Sequence, residues 1–430
     1  MNRPVRKTET DDITLPQGYG IEAFMTGLTT PISIIFDPTG QMYVADAGVT
    51  DGSGKVYRYE GGGFRLLASG FKAPLTGITY FESMLYVAHR GSVTAIQPDG
   101  SRREILQGLP SLGDHHNNKV EFGPDGKMYY GQGTATNSAV VGVDNADWVK
   151  RHPEFRDTPG QDITLRGQNF TTTGNKITGA YKPFGTPSGA GEIVKGAVKA
   201  SGSVMRANPD GTGLEMVAWG LRNPFRMRFD ASGRLFTTNH GMDVRGSRPV
   251  DNSPDEFHEV KHGTWYGWPD YTGGLPVTNP MFKPENMPQP LFLLERHPMT
   301  PPKPFAGFEP HAAVMGFDYS RSDDFPNIGD TFIAEFGSEA PETTGGKPSP
   351  TVGHRVSVIS MSNGQVYTFA RNKSGMAASA TGGGGLERPI DCVFGPDGAL
   401  YVADFSYSTS SEADDFPAGT GVIWRIRKNR

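Results

Sequence analysis

The sequence predicts an all-β fold, a six-bladed β-propeller with four-stranded blades and long loop insertions. Two observations carry this. A strand–turn–strand unit recurs six times: FDPTGQMYVAD (36–46), YFESMLYVAH (80–89), FGPDGKMYYGQ (122–132), FDASGRLFTTN (229–239), IGDTFIAEF (328–336) and FGPDGALYVAD (394–404). Each unit also has an apolar strand before it and another after it, and a repeat of roughly 40–50 residues with four strands is a propeller blade.

The elements follow in order. Tyr43, Tyr86 and Tyr129 stand at equal intervals, and the same aromatic position recurs at Phe236, Phe332 and Tyr401. The strands expected before the units are 31–36, 75–80, 120–122, 224–229, 314–319 and 389–394. Those expected after them are 55–60, 92–97, 202–211, 255–260, 355–361 and 421–426. A fourth strand is legible in the first two repeats only, as FRLLAS (64–69) and REILQG (103–108). The sixth repeat stops after its third strand, while residues 21–25 (IEAFM) precede the first full blade. That spare strand is expected to complete blade six and close the ring, leaving no open edge. The expected division is an N-terminal extension over 1–19 and one propeller domain over 20–430. Residues 135–200, 271–308, 337–354 and 371–386 are rich in Gly, Pro, Thr and Ser and read as loops that shape or cover a site.

Composition narrows the function. The chain has 430 residues, of which 57 are Gly and 34 are Pro, which suits many turns between short strands. A net charge of −5, spread along the chain, argues against a nucleic-acid or anionic-membrane surface. The single cysteine, Cys392, rules out an intrachain disulfide and reads as a small core residue. No apolar run is long enough for a membrane span. The first residues, MNRPVRKTETDD, have no apolar core and do not read as a signal peptide.

Chemistry concentrates where the first strand of each blade begins. Aligned on the aromatic that ends that strand, the repeats place Thr30, His115–His116, Arg222–Asn223, His311 and Arg388 just ahead of it. These side chains differ from blade to blade and converge on one mouth of the central channel, the default place for a site. Arg222, Arg388 and Arg355 supply fixed positive charge suited to carboxylates. His115 can serve as a base near neutrality. The set suits a polyanionic organic ligand, and no Walker or Rossmann fingerprint is present.

The motifs GDHHNNKVEFGPDGKMYY, WGLRNPFRMRFD, NHGMD with PDEFHEV and WYGWPDY, FEPHAAVMGF, and LERPIDCVFGPDGALYVAD ending in GVIWRI resemble those of a known family. It is the soluble quinoprotein glucose dehydrogenase/sorbosone dehydrogenase family, which uses pyrroloquinoline quinone (PQQ). The resemblance implies a dehydrogenase that oxidises an aldose, sorbosone or a related alcohol or aldehyde by hydride transfer to PQQ. It implies His115 as general base, and Arg222 and Asn223 against the quinone oxygens. It implies Arg388 on a PQQ carboxylate, and Arg355 or the neighbouring His354 as a further basic contact. His311 lies in the sorbosone-type P-H-[SA]-A segment and is expected to bind cofactor. The backbone carbonyls of Gly241 and Met242 would hold Ca²⁺ against PQQ, with Asp255 and Glu256 nearby. An external cytochrome or quinone would take the electrons. The location implied is periplasmic or secreted, with the leader not present in this sequence.

The chain departs from the family pattern at three places. Thr134 stands where the glucose enzyme has an aspartate behind its catalytic histidine, so Asp114 or a loop asparagine is expected to orient His115. Ile390 replaces a second arginine, and Met242 a proline. His116 reads as structural, and Trp265, Tyr266 and Trp268 read as core residues ahead of a sugar-stacking role. Two other functions remain: a Ca²⁺-dependent lactonase-type propeller hydrolase, and a non-catalytic propeller that binds carbohydrate or protein.

Overall fold

A computed structural model describes residues 6–171, 173–340, 342–407 and 416–429. It is a six-bladed β-propeller. The blades are the sheets that begin with Pro31–Phe36, Leu75–Phe81, Asn117–Phe122, Pro224–Phe229, Val314–Tyr319 and Pro389–Phe394, each running outward through antiparallel neighbours. The repeated turns work through glycine. Gly126 and Gly398 take φ of +74° and +77° in the two G-P-D-G turns, a conformation that disfavours a side chain.

The ring closes as the sequence predicts. Tyr19–Leu28 pairs antiparallel with Gly421–Lys428, with Ile21 opposite Ile426 and Ala23 opposite Trp424, and so forms the outer strand of blade six. An early strand and the last strand thus share one sheet, with Tyr19–Leu28 at its outer edge as in the other blades and Gly421–Lys428 paired on both sides. Ahead of this strand, Ile13–Thr14 adds a fifth strand to blade five, opposite Asn372 and Arg371. Arg6 reaches Asp404 in an ion pair with both side chains buried.

The outer strands of blades three to five, Glu215–Trp219, Ala306–Pro310 and Val366–Asn372, were not legible in the sequence. They lie beyond insertions or carry few apolar residues. The insertion 135–200 also contains two small hairpins, Ile163–Arg166 with Ala190–Val194 and Asn169–Thr171 with Ile177–Gly179. Its helix Ala146–Arg151 is short.

Two features of the innermost strands prepare the site. All six carry a register shift near their start, between Pro31/Ser33, Leu75/Gly77, Asn117/Val120, Pro224/Met227, Val314/Phe317 and Pro389/Asp391. A bulge bends its strand and re-aims side chains, so six bulges at one level splay one mouth of the channel. Below that level the channel is filled. Arg226 donates to the Ile32 carbonyl at 3.0 Å and the Thr76 carbonyl at 3.3 Å, and stands 3.5 Å from Asp391. One side chain from blade four thus touches blades one, two and six, which requires it to cross the axis. Gly77 and Gly316 make room: a Cβ on Gly77 would lie 2.4 Å from Lys119 Cβ, and one on Gly316 1.9 Å from Asp391 Oδ1.

Cys392 is fully buried, with Sγ 3.1 Å from the Phe332 carbonyl, in keeping with a core role.

Candidate active site

The splayed mouth opens into a cavity of about 770 Å³, a size that suits a small organic ligand. Its walls come from the loops ahead of the first strands and from the ends of the second strands. His115, Arg222, Asn223, Gly241 and His311, all predicted from the sequence, line it together with Asp255.

His115 is positioned by a close approach of two loops. A Cβ on Gly133 would lie 2.2 Å from His115 Cβ and 3.0 Å from Asn223 Oδ1, so a glycine there lets the two side chains meet. The His115 amide donates to the Thr134 carbonyl at 3.1 Å, and the Thr134 amide to the Arg222 carbonyl at 2.9 Å. The orienting group is Thr134. Its hydroxyl donates to the Thr136 carbonyl at 2.8 Å and lies 3.4 Å from His115 Nδ1. With that proton committed, the hydroxyl accepts from Nδ1–H, which leaves Nε2 with its lone pair. Asp114, expected to do this, is engaged elsewhere: it pairs with Arg245 and accepts from Asn145 Nδ2 at 3.1 Å. Burial, then the charge of Arg222, pushes the His115 pKa well below the usual histidine range, so the imidazole is neutral. His116 lies outside the cavity walls and bonds the Ser111 carbonyl through Nδ1 at 3.1 Å, a structural contact.

Arg222 is 4 % exposed and held from three sides. Nε donates to the Asn137 carbonyl at 3.2 Å, Nη1 to the Gly241 carbonyl at 2.5 Å, and Nη2 pairs with Asp243 at 2.6 Å. One hydrogen on each terminal nitrogen stays uncommitted. Asn223 donates to His240 Nδ1 at 3.1 Å and accepts from Asn118 at 2.9 Å. His240 in turn donates through Nε2 to the Val314 carbonyl at 2.8 Å. Burial, with Arg222 adding to it, lowers the His240 pKa to about 4.

The segment Gly241–Arg245 supplies groups that the sequence reading passed over. Asp243 lies between Arg222, Arg245 at 3.1 Å and His311 at 3.4 Å. Burial works to raise its pKa, but the charge of Arg222 and the bond from His311 hold it far below the carboxylate range. Arg245 also bridges to Asp144 at 2.9 Å. Burial and the nearby Asp114 raise the Asp144 pKa to about 6. Asp255 is raised to about 6 by burial, against bonds from the Gly241 and Val314 amides. The signal available was positional: NHGMDVR ends the second strand of blade four at the same mouth as Arg222.

The remaining predicted residues fall outside the cavity walls. Met242 buries its side chain in an apolar cluster with Trp265 and Trp268, and its amide donates to Ser253 at 2.7 Å. Arg355 is committed to Glu335 at 2.8 Å and Glu309 at 2.9 Å. His354 bonds the Glu387 carbonyl at 2.7 Å. Glu256 bonds Asn239 at 2.8 Å and His258 at 2.9 Å. Trp265, Tyr266 and Trp268 are buried and line no part of the cavity, which leaves them as core residues. Arg388 is the informative case. Its guanidinium lies 4.9 Å over the ring of Phe336, a cavity wall, and its Nε and Nη1 are buried with no hydrogen-bond partner among the described residues.

Comparison with known proteins adds to this geometry. Residues 150–340 match the profile of the Glucose / Sorbosone dehydrogenase family. Quinoprotein glucose dehydrogenase B of Acinetobacter calcoaceticus is 26% identical over 172 residues, which is 40% of this chain and 29% of that protein. The match thus spans less than a third of the relative's length. The calcium structure of the Trichoderma reesei Carbohydrate-Active Enzymes Family AA12 protein superposes with a TM-score of 0.58 at 16% identity, covering 98% of both chains. The PQQ-bound Aldose Sugar Dehydrogenase (Adh) from Streptomyces coelicolor gives 0.54 at 15% identity, covering 96% of this chain and 99% of that one. These two likenesses establish the shared propeller fold. The family profile and the quinoprotein support the resemblance read from the motifs.

Proposed function

On the footing of that family match, we propose that the cavity is the active site of a PQQ-dependent sugar dehydrogenase with His115 as general base. The observation that carries it is a neutral, oriented imidazole beside a guanidinium with uncommitted hydrogens in one cavity, with the Arg388 guanidinium packed on the wall residue Phe336 and its Nε and Nη1 without a hydrogen-bond partner among the described residues.

The residues fit PQQ. A cofactor with several carboxylates needs cationic donors, and the buried Nε and Nη1 of Arg388 have no partner among the described residues, a costly arrangement unless an acceptor is supplied. Arg222 and Asn223 lie at the same mouth to meet further oxygens. The fit to Ca²⁺ is partial. The Gly241 carbonyl faces the cavity with one lone pair engaged by Arg222 and one left, and Asp243 and Asp255 are nearby oxygen donors. Among the described residues no three His, Cys, Asp or Glu side chains are grouped to hold a metal by themselves. A Ca²⁺ ion here would therefore need oxygens from the cofactor to complete its shell.

PQQ, when bound, is the two-electron acceptor for the hydride leaving the sugar carbon. The protein's part is proton handling and placement. His115 Nε2 accepts the hydroxyl proton of the sugar; Thr134 keeps the tautomer that makes this possible. Arg222, itself buried, presents fixed positive charge where negative charge develops. The substrate is an aldose, a sugar aldehyde such as sorbosone, or a related alcohol, and a cytochrome or quinone receives the electrons. No helix among the described residues is long and apolar enough to cross a membrane, and we place the protein in the periplasm or outside the cell.

The deciding experiment is reconstitution of the chain with PQQ and Ca²⁺, followed by absorbance during addition of a sugar panel. Sugar-dependent reduction of the bound quinone is the expected result. No spectral change with any sugar would favour the lactonase-type or non-catalytic readings.

A further inference from the structure

The opposite mouth of the channel holds a second cavity, of about 910 Å³, between blades four and five. It is built from the far ends of the strands whose near ends form the first cavity. The turn after Pro224–Phe229, the turn after Val314–Tyr319 and the turn after Arg355–Ile359 contribute to it.

Most of its charges are already matched within the protein. Arg234 pairs with Asp230 at 2.7 Å, and Arg321 with Asp318 at 3.1 Å. Arg228 donates to the Phe317 carbonyl at 2.6 Å. Asp330 accepts from Asn327 at 2.9 Å and from the Met361 amide at 3.0 Å.

What is not matched is a small set of short-range hydrogen-bonding groups. Tyr319 is 8 % exposed, lines the cavity, and has a hydroxyl with no hydrogen-bond partner among the described residues. Leaving a buried hydroxyl unpaired is unfavourable, so the site lacks a partner that a ligand can provide. The carboxyl of Glu121 lines the same cavity and makes no hydrogen bond among the described residues. Ser360 and Ser362 share one bond of 3.0 Å between their hydroxyls, which leaves one hydroxyl proton uncommitted. Phe229 and Met361 supply apolar wall.

We propose that this far-mouth cavity binds a neutral polyhydroxylated ligand of monosaccharide size, separately from the redox site. An organic anion would have to approach the unpaired Glu121 carboxyl. An organic cation would have to approach Arg228. A polyol meets both kinds of group, since each hydroxyl donates and accepts, and its C–H faces suit the Phe229 and Met361 surface. The inference does not depend on the redox reading of the first cavity.

The test is calorimetric titration of the full chain with methyl α-D-glucopyranoside, whose blocked anomeric oxygen keeps it from C1 oxidation. Binding is expected. It should weaken at least tenfold in Tyr319→Phe and in the double variant Ser360→Ala/Ser362→Ala, and be unchanged in Asn223→Ala at the other mouth. Tyr319→Phe removes a hydroxyl without a partner, so the fold should tolerate it; the serine pair is exposed and gives an independent check. The proposal is overturned by any of three results. These are no heat with the glycoside, binding that survives both far-mouth variants or is lost with Asn223→Ala, and tighter binding of succinate or putrescine than of the glycoside where that tighter binding is itself weakened by Tyr319→Phe.

Discussion

Thr134 Oγ1 stands 3.4 Å from His115 Nδ1 while giving its own proton to the Thr136 carbonyl. A hydroxyl so committed can only accept from the imidazole, so it selects the tautomer with Nε2 free. It does so without the negative charge of a carboxylate. His115→Ala should therefore keep PQQ bound but slow sugar-dependent reduction by about 10²–10⁴-fold, the usual range for a general base. His116→Ala should change it little, because the His116 ring bonds the Ser111 carbonyl and lines no part of the cavity. Thr134→Val should fall between the two, and Thr134→Ser should restore most of the rate. Stopped-flow reduction of the reconstituted variants decides this; a crippled His116→Ala would move the base by one residue.

Gly133 gives an independent check of the same geometry. A methyl there would sit 2.2 Å from His115 Cβ and 3.0 Å from Asn223 Oδ1. Gly133→Ala should displace the base and lower the reduction rate by about 10²-fold, the scale of a roughly 1 Å misplacement. Unfolding should remain cooperative by circular dichroism. A variant of undiminished rate would mean that the His115 loop is not where reaction occurs.

The frame of this protein was legible because its repeats are. Phe36, Phe229 and Phe394 end equivalent strands, and the aromatic-ended unit marks every blade, with a turn glycine in all but blade two, where Glu82 and Ser83 take positive φ. Closure by the strand around Ile21 followed from counting strands and asking which edge was open. The three outer strands that escaped are weakly patterned. Glu215–Trp219 buries three consecutive residues with no alternation and Ala306–Pro310 buries only Ala306 and Phe308, and their pairing is set by the rest of the blade. The site was legible where a residue's position in the repeat fixes its direction, as for His115, Arg222 and His311. It was not legible where contacts between distant segments decide. Arg355 has the charge of a ligand-binding residue, but Glu335 and Glu309 face it. Asp114 neighbours His115 in sequence, but Arg245 draws its carboxylate away. Asp243 and Arg245 acquire their contacts only when the segment after the second strand of blade four meets two separate loops of blade three, one carrying Asp114 and one carrying Asp144.

Arg388 tests the cofactor assignment more cleanly than Arg222 does. Removal of Arg222 would leave Asp243 buried beside fewer cations, mixing stability with binding. Arg388 has unpaired Nε and Nη1 and rests on Phe336, so Arg388→Ala removes little from the apoprotein. PQQ affinity should fall by roughly 2–5 kcal/mol if the pair is buried. Fluorescence titration with PQQ measures it, and an unchanged affinity would take Arg388 out of the site.

Metal removal gives a separate prediction. The Gly241 carbonyl has one free lone pair, and the described residues form no closed metal cage of their own. A hard cation here would be held jointly with the cofactor. Chelator treatment of the reconstituted protein should release PQQ or abolish its reduction, and added Ca²⁺ should restore both. Retention of full activity after exhaustive chelation would separate the ion from the reaction.

The pH dependence follows from the direction of the His115 shift. Burial and the Arg222 charge both disfavour the imidazolium, so the folded-state pKa lies well below the ordinary value of about 6.5. The base is neutral throughout the neutral range and stays so as pH falls past ~6.5. Its loss by protonation comes only further down. The acid limb of kcat/KM should therefore lie below that point. A shallow change near pH 6 that disappears in Asp144→Asn would belong to Asp144, whose pKa is raised to about 6. The same shift has a consequence for stability. The unfolded chain takes up the His115 proton below ~6.5 while the folded chain resists it, so this residue's contribution is intact above that pH and declines as pH falls. Replacing it in His115→Gln should reduce the acid-side drop in Tm. An activity limb centred at ~6.5 in both wild type and Asp144→Asn would show that the working base titrates as an unperturbed histidine, contrary to a buried His115 beside Arg222.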